Sequence, residues 1–206
     1  MKRWHSAVQS GLFVALSITS ASIWAGSIST NLTATSNYIW RGVSQTNDQA
    51  AIQGGADYTI NKNFYFGAWT SNVTNDTELD IYGGYTNKFG EFDFDAGFIT
   101  YQYIGNSGQD DFTETFAGAR YKNYSAKISL DINESDIYLE GAADFDLPDK
   151  YLLTAHLGIY SFDRAGRTDY NDYSATISKG ELSFKVSNTD ISNDNIKVNV
   201  SWNKTF

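Results

Sequence analysis

The sequence predicts an all-β chain: a 12-stranded antiparallel up-and-down transmembrane β-barrel, with short periplasmic turns and longer extracellular loops. Three observations predict it. Apolar and polar residues alternate through many short segments. The connections between those segments alternate between short and long. A short apolar leader precedes them all. The final eleven residues, I-K-V-N-V-S-W-N-K-T-F, show the first pattern plainly. Ile196, Val198, Val200, Trp202 and Phe206 fall on one face of an extended strand, and Lys197, Asn199, Ser201, Asn203 and Thr205 on the other. Only Lys204 breaks the alternation that a strand imposes on its side chains.

Composition agrees with this class. The 206 residues include 17 Gly, 14 Tyr, 13 Phe and 5 Trp, one Pro and no Cys. Without cysteine there are no disulfides and no thiolate metal sites. No apolar run past residue 26 is long enough for a spanning helix. A polar overall composition is no objection to a membrane barrel, since only alternate residues face lipid. A β-sandwich or soluble barrel is the competing all-β architecture.

The amino-terminus reads as a cleaved signal peptide covering residues 1–25. Lys2 and Arg3 form a positive n-region, Gly11 to Ile18 an apolar core, and Ala25-Gly26 a cleavage point, with Ala21-Ser22 a rival. Residues 26–206 then form a single barrel domain. Removing Lys2 and Arg3 leaves 13 basic residues against 24 acidic ones, a net charge of 13 − 24 = −11. That balance disfavours nucleic acid as a partner.

The strands follow in order. The first runs from Ser27 to about Trp40, with Ile28, Thr30, Leu32, Ala34, Tyr38 and Trp40 in one phase. The second, Ala50 to Ile60, sends Ile52, Ala56 and Tyr58 outward and Gln53 and Asp57 inward. The third spans Phe64 to about Thr70. The fourth, Thr77 to Thr86, opposes Leu79, Ile81 and Tyr85 to Glu78, Asp80 and Tyr82. The fifth, Glu91 to Gln102, opposes Phe92, Phe94 and Phe98 to Asp93 and Asp95. The sixth, Phe112 to Tyr121, fits either phase; Thr113, Thr115, Ala117, Ala119 and Tyr121 go outward, because the other phase sets Glu114 and Arg120 in lipid.

The seventh, Tyr124 to Ile132, alternates Ala126, Ile128 and Leu130 with Lys127, Ser129 and Asp131. The eighth, Ile137 to Phe145, alternates Leu139 and Ala143 with Tyr138, Glu140 and Asp144. The ninth, Tyr151 to Tyr160, turns Leu153, Leu157 and Ile159 outward. The tenth covers Tyr173 to Ile177. The eleventh, Leu182 to Asn188, sets Phe184 and Val186 against Lys185. Ile196 to Phe206 is the twelfth.

Connections after even strands are short, such as Lys122-Asn123 and Lys179-Gly180. Those after odd strands are longer: Arg41 to Gln49, Ser71 to Asp76, Tyr103 to Asp111, Asn133 to Asp136, Ser161 to Asp172 and Thr189 to Asn195. A meander barrel with short turns at one rim has this rhythm. The first outward residue after each short turn is Phe64, Phe92, Tyr124 and Tyr151, with Leu182 the exception; Phe206 joins them as an inner aromatic girdle. Tyr38, Trp40, Phe98 and Tyr173 are candidates for an outer one.

Several segments resemble the TorF family of porins. They are Thr35 to Thr46 (T-S-N-Y-I-W-R-G-V-S-Q-T), Ala51 to Tyr58, Phe66 to Val73, Glu78 to Tyr85, Tyr138 to Pro148 and the closing S-W-N-K-T-F. The resemblance spans the mature chain and implies a pore in the outer membrane of a Gram-negative bacterium. It carries over no substrate and no catalytic residue.

The inward positions supply the candidate pore lining: Asp57, Glu78, Asp80, Asp93, Asp95, Glu114, Asp131, Glu140 and Asp144 against Arg120, Lys127, Lys185 and Lys197. Acids outnumber bases, which favours cations in a narrow bore. The alternative is mutual pairing into a salt-bridged plug. Twelve strands about 4.8 Å apart and tilted roughly 40° give a cylinder about 24 Å across, much of it consumed by inward Tyr82, Tyr101, Tyr138 and Tyr160. Tyr38, Trp40, Arg41 and Gln45 are candidates for solute contact at the outer rim. The bland alternative pairs Arg41 with lumen carboxylates and leaves the two aromatics as interface anchors.

Nothing points to an enzyme. His156 is the mature chain's single histidine and faces the lumen mid-strand, away from where a lipid-face or rim hydrolase needs its base. A zinc site lacks ligands, no phosphate loop occurs, and the loops Asn106 to Asp111 and Asn188 to Asn195 lack calcium-loop spacing. The expected partners are outer-membrane lipid, small solutes or ions, and the β-barrel assembly machinery, which would read Trp202 and Phe206 in the last strand. No cofactor is expected. The function expected is passive diffusion of ions or small solutes, mildly cation-selective. The alternatives are a substrate-specific channel or a closed structural barrel acting through its outer loops.

Overall fold

The computed structural model describes residues 26–105 and 110–206. The expected signal peptide, residues 1–25, lies outside them, as does part of the Asn106 to Asp111 loop.

Twelve long strands make one closed antiparallel barrel: β1 (Ser27–Thr35), β4 (Ala51–Thr59), β5 (Phe64–Val73), β6 (Asp76–Phe89), β7 (Phe92–Tyr103), β8 (Phe112–Tyr121), β9 (Tyr124–Asp131), β10 (Ile137–Asp146), β11 (Leu152–Ser161), β12 (Tyr170–Lys179), β13 (Leu182–Thr189) and β14 (Lys197–Thr205). Each pairs with its sequence neighbour, and β1 closes the ring on β14, with Asn31 opposite Thr205 and Thr35 opposite Ser201. Closure leaves no unpaired edge, which lets a sheet stand in an apolar medium.

The wall is apolar outside and polar inside. Ile52, Phe66, Leu139, Leu157 and Val200 lie exposed on the outer face. Gln53, Ser71, Glu114, Asp131, Ser187 and Ser201 are buried on the inner face. This reverses a soluble protein, whose large apolar side chains turn inward. Phe64, Phe92, Tyr124, Tyr151 and Phe206 are all exposed near the rim that holds both chain ends. Phe92 stacks on Tyr121 at 4.8 Å and Phe64 meets Tyr85 edge-on at 4.9 Å, joining neighbouring strands. In β8 the phase is the one expected: Glu114 is buried inside while Thr115 and Ala117 are exposed.

Three expectations need correction. The first strand ends at Thr35, not Trp40. Ser36 N–H still bonds the Val200 carbonyl at 2.9 Å, but the side chains of Thr35 and Asn199 then take the Asn37 carbonyl, and the chain leaves the wall. It makes a small hairpin, β2 (Ile39–Trp40) with β3 (Val43–Ser44), inside the barrel. Tyr38 and Trp40 therefore belong to the interior, not to an outer girdle.

The long connection expected from Ser71 to Asp76 is a two-residue turn, Thr74-Asn75. Strands β5 and β6 pair out to Val73 and Asp76, and Asn75 takes a left-handed φ of 60°, which asparagine tolerates without glycine. Finally, β12 runs from Tyr170 to Lys179, well beyond the expected Tyr173 to Ile177.

Candidate functional site

The site is the hairpin and the wall residues that hold it. Its turn is Arg41-Gly42, with φ of 45° and 79°. Two positive φ values are what a type I′ hairpin turn needs, and glycine supplies one without strain. Gly42 also sits against the wall: a Cβ there would lie 2.5 Å from Thr189 Cγ2 and 2.7 Å from Asp172 Cβ.

The turn aims Arg41 at the opposite wall. Its Nη1 and Nη2 donate to Glu114 Oε1 and Oε2 at 2.8 and 2.7 Å, with 4% and 2% of the two side chains exposed. The guanidinium lies 4.1 Å from the Tyr138 ring centre, 4.2 Å from Trp40 and 4.7 Å from Tyr160. The planar fork suits both partners: a bidentate carboxylate and aromatic faces. Tyr170 hydroxyl donates to the Arg41 carbonyl at 3.1 Å.

Around the ring β8 is the fifth strand from β1 one way and the seventh the other. A hairpin rooted on β1 that bonds Glu114 of β8 therefore crosses the bore. Its root is held by Tyr38 hydroxyl on Glu78 at 3.1 Å, Ser44 hydroxyl on Asn37 at 2.7 Å, and Thr74 N–H on the Gln45 carbonyl at 2.8 Å. Gln45 bonds its own hairpin, through Nε2 to the Val43 carbonyl at 3.2 Å. Tyr38, Trp40, Arg41 and Gln45 are thus parts of one inserted element rather than a rim patch. Of the two sequence-based readings of Arg41, pairing with an interior carboxylate is the geometry found.

Most other candidate residues face the interior in bonded pairs. Lys127 meets Glu140 at 2.7 Å, and Arg120 meets Asp144 at 2.9 Å, with Thr154 hydroxyl donating to the same carboxylate at 2.7 Å. Asp57 accepts from Tyr82 hydroxyl at 2.5 Å and Asp95 from Tyr65 hydroxyl at 2.9 Å. Asp131 accepts the N–H groups of Asn133 and Glu134 at 2.8 and 3.2 Å, fixing the turn after β9. Asp93 pairs with Lys88 at 3.0 Å near the terminal rim, and Lys197 with Asp194 at the other. Lys185, Glu78 and Asp80 are buried. Trp202, on the outer face, donates from its indole to Glu181 at 2.9 Å.

Two features escaped the sequence reading. Asp172 joins Tyr138 and His156: Tyr138 hydroxyl donates to Asp172 Oδ2 at 2.8 Å, while His156 Nε2 lies 3.0 Å from Asp172 Oδ1 and 3.2 Å from that hydroxyl. The residue lay in what read as a long loop. The second is the hairpin, for which W-R-G-V, with glycine at the second turn position, was the available signal. Under the hairpin, Tyr65, Tyr82, Tyr101, Glu114, Phe116 and Lys127 enclose a cavity of about 10 Å³, room for one water at most.

Among solved structures, the KdgM porin resembles this chain with a TM-score of 0.61 at 10% identity, over 86% of this chain and 98% of that one. The KdgM porin in complex with disordered oligogalacturonate gives 0.57 at 9% identity, over 88% and 98%. OpdK, an outer membrane protein from Pseudomonas aeruginosa, is more distant: TM-score 0.43, 11% identity, 77% of this chain and 58% of that one. At these identities the likeness to KdgM is one of fold. No curated protein matches the sequence. Residues 19–204 match the model of the family described as "Bacterial protein of unknown function (Gcw_chp)", and the chain belongs to that family.

Proposed function

We propose that the barrel sits in a bacterial outer membrane as a porin-type channel for ions and small hydrophilic solutes, narrowed by the inserted hairpin. The observation that carries this reading is the Arg41–Glu114 pair, which fixes a loop across the bore of a barrel that is apolar outside and polar within. An apolar outer wall needs lipid around it. A polar interior suits a water-filled path better than a packed core. The KdgM-like fold supports the reading, and so do the TorF-like segments. Interior acids exceed interior bases, which favours cations. The last strand, with Trp202 and Phe206, is the natural handle for the assembly machinery.

The test is planar-bilayer recording of the refolded mature chain in a salt gradient. Small discrete steps with a cation-favouring reversal potential are expected. An anion-favouring potential would overturn the selectivity. Silence from both the wild type and an Arg41→Ala variant would overturn the channel. That second outcome belongs to the other reading, a closed barrel acting through its outer loops, which the ion-paired interior favours.

A further inference from the structure

Each short connection at the rim that holds both chain ends has a lysine in it or beside it: Lys62, Lys88, Lys122, Lys150 and Lys179. Lys204 joins them from the closing strand. Carboxylates answer some of these. Lys88 pairs with Asp93 at 3.0 Å, Lys122 lies 4.0 Å from Glu91, and Lys204 bonds Glu181. Among the described residues Lys62, Lys150 and Lys179 form no ion pair.

Lys150 and Lys179 meet at one ring. Lys179 ends β12 two residues past Ile177 and so shares its outward side. Its Nζ lies 4.3 Å from the ring centre of Tyr151, a contact that steadies the ammonium without neutralising it. Lys150 precedes Tyr151 in a turn fixed by two bonds: the Leu147 N–H on the Tyr151 carbonyl at 2.9 Å, and the Tyr151 N–H on the Pro148 carbonyl at 3.2 Å. Both lysines and Tyr151 are exposed. Glu181 is engaged by Lys204 and Trp202, and Asp146 shares the inward phase of Asp144. Among the described residues this leaves Asp149, in the turn itself, against two ammonium groups.

The outer wall next to this ring has its own relief. Ala143, Ala155 and Ala175 stand side by side on β10, β11 and β12. Phe145, Leu153 and Ile177 form the row nearer the rim, and Leu157 and Tyr173 flank the alanines on the far side. The alanines therefore floor a shallow apolar trough between taller side chains. It lies four residues along β11 from Tyr151, about 13 Å at 3.3 Å per residue, within the roughly 15 Å depth of one leaflet. An uncompensated pair of cations at headgroup level, beside such a trough, matches an amphiphile with an anionic head. A free anion has no use for the trough, and a neutral lipid none for the charge.

We propose that Lys150, Lys179 and Tyr151 bind the headgroup of an anionic phospholipid whose acyl chain lies in the alanine trough. The site rests on the membrane reading of the barrel and is independent of conduction. Each lysine near an anionic lipid surface strengthens binding roughly fivefold.

The experiment folds the mature chain into phosphatidylcholine vesicles containing a minority of phosphatidylglycerol. The barrel is then extracted in mild detergent, and its bound lipid is counted by native mass spectrometry. Heat-modifiable gel mobility checks folding of every variant. The wild type should retain phosphatidylglycerol over phosphatidylcholine about fivefold or more beyond their ratio in the vesicles. A Lys150→Gln/Lys179→Gln double variant should lose that preference. Lys62→Gln, which removes a lysine from another turn, should keep it. Ala155→Phe fills the trough without touching the charge and should weaken retention as well; unchanged retention there would overturn the acyl seat. No preference in the wild type, or the same preference in the double variant, would overturn the site. Displacement of the lipid by added inorganic phosphate would overturn it in favour of a free anion. A wild type that folds into neither these vesicles nor pure phosphatidylcholine would sink the membrane reading, and the site with it.

Discussion

Arg41 reaches from a hairpin rooted on β1 to Glu114 on the far side of the barrel, and both nitrogens of its fork bond both oxygens of the carboxylate, at 2.8 and 2.7 Å. Among the described residues this is the only ion pair that either group makes. Glu114→Gln should leave a buried, still charged guanidinium without its counter-charge. Breaking a buried pair from one side costs about 3–5 kcal/mol, which exceeds what one hydroxyl, Tyr170 on the Arg41 carbonyl, returns. The hairpin should leave the bore. Single-channel conductance should rise severalfold over the wild type, and a protease should cut between residues 41 and 49. Unchanged conductance would mean that the pair is not the latch.

Gly42 is the second check on the hairpin. Alanine there meets both a left-handed φ of 79° and wall atoms 2.5 and 2.7 Å away. The backbone term alone is about 1 kcal/mol, and the contact adds to it. Gly42→Ala should mimic Glu114→Gln in conductance while leaving the Arg41 charge in place. Gly180→Ala removes a comparable left-handed glycine with open space around it. It should cost only the backbone term and leave conductance alone.

Most of the wall was legible in the sequence, and the hairpin was not, for one reason. A wall strand buries one face and exposes the other, so each of β9, β13 and β14 carries its own period of two. Even the ambiguous β8 resolved once Glu114 and Arg120 were kept out of lipid. Tyr38 and Trp40 happen to continue the phase of Leu32 and Ala34. Nothing in alternation records that the chain has turned inward between them. That information lies in Arg41-Gly42, where two positive φ values close a turn, and in Glu114, which is distant in sequence. Thr74-Asn75 shows the same limit: its left-handed residue is asparagine, so no glycine marks the turn.

Tyr138 tests whether the interior polar network is structural. Its hydroxyl serves Asp172 at 2.8 Å and His156 at 3.2 Å, and its ring faces Arg41. Tyr138→Phe keeps the ring and removes the hydroxyl, leaving two buried groups short of a partner. A loss of about 1–3 kcal/mol follows, read from urea unfolding in detergent. Conductance should stay near wild type, because the ring still packs on Arg41. A large conductance change with no loss of stability would place the hydroxyl in the ion path instead.

Glu181 gives a pH prediction at the terminal rim, outside the spanning strands. Hydrogen bonds from Lys204 and then from Trp202 hold its carboxyl below the usual glutamate range. A depressed folded-state pKa means that the contribution is complete above the unfolded value and is lost as pH falls through the folded one. The contact is exposed, so its weight in global stability is small. Its local signature is the Trp202 indole N–H, which donates to Glu181 Oε2. In NMR spectra of the refolded barrel, that resonance should hold steady from neutral pH through the ordinary glutamate range and shift upfield only below it, as the carboxylate takes its proton. Glu181→Gln should abolish the titration and leave the resonances of Trp40 and Trp69 in place. A Trp202 resonance that titrates unchanged in the variant would show that another group, and not Glu181, governs this corner of the closing strand.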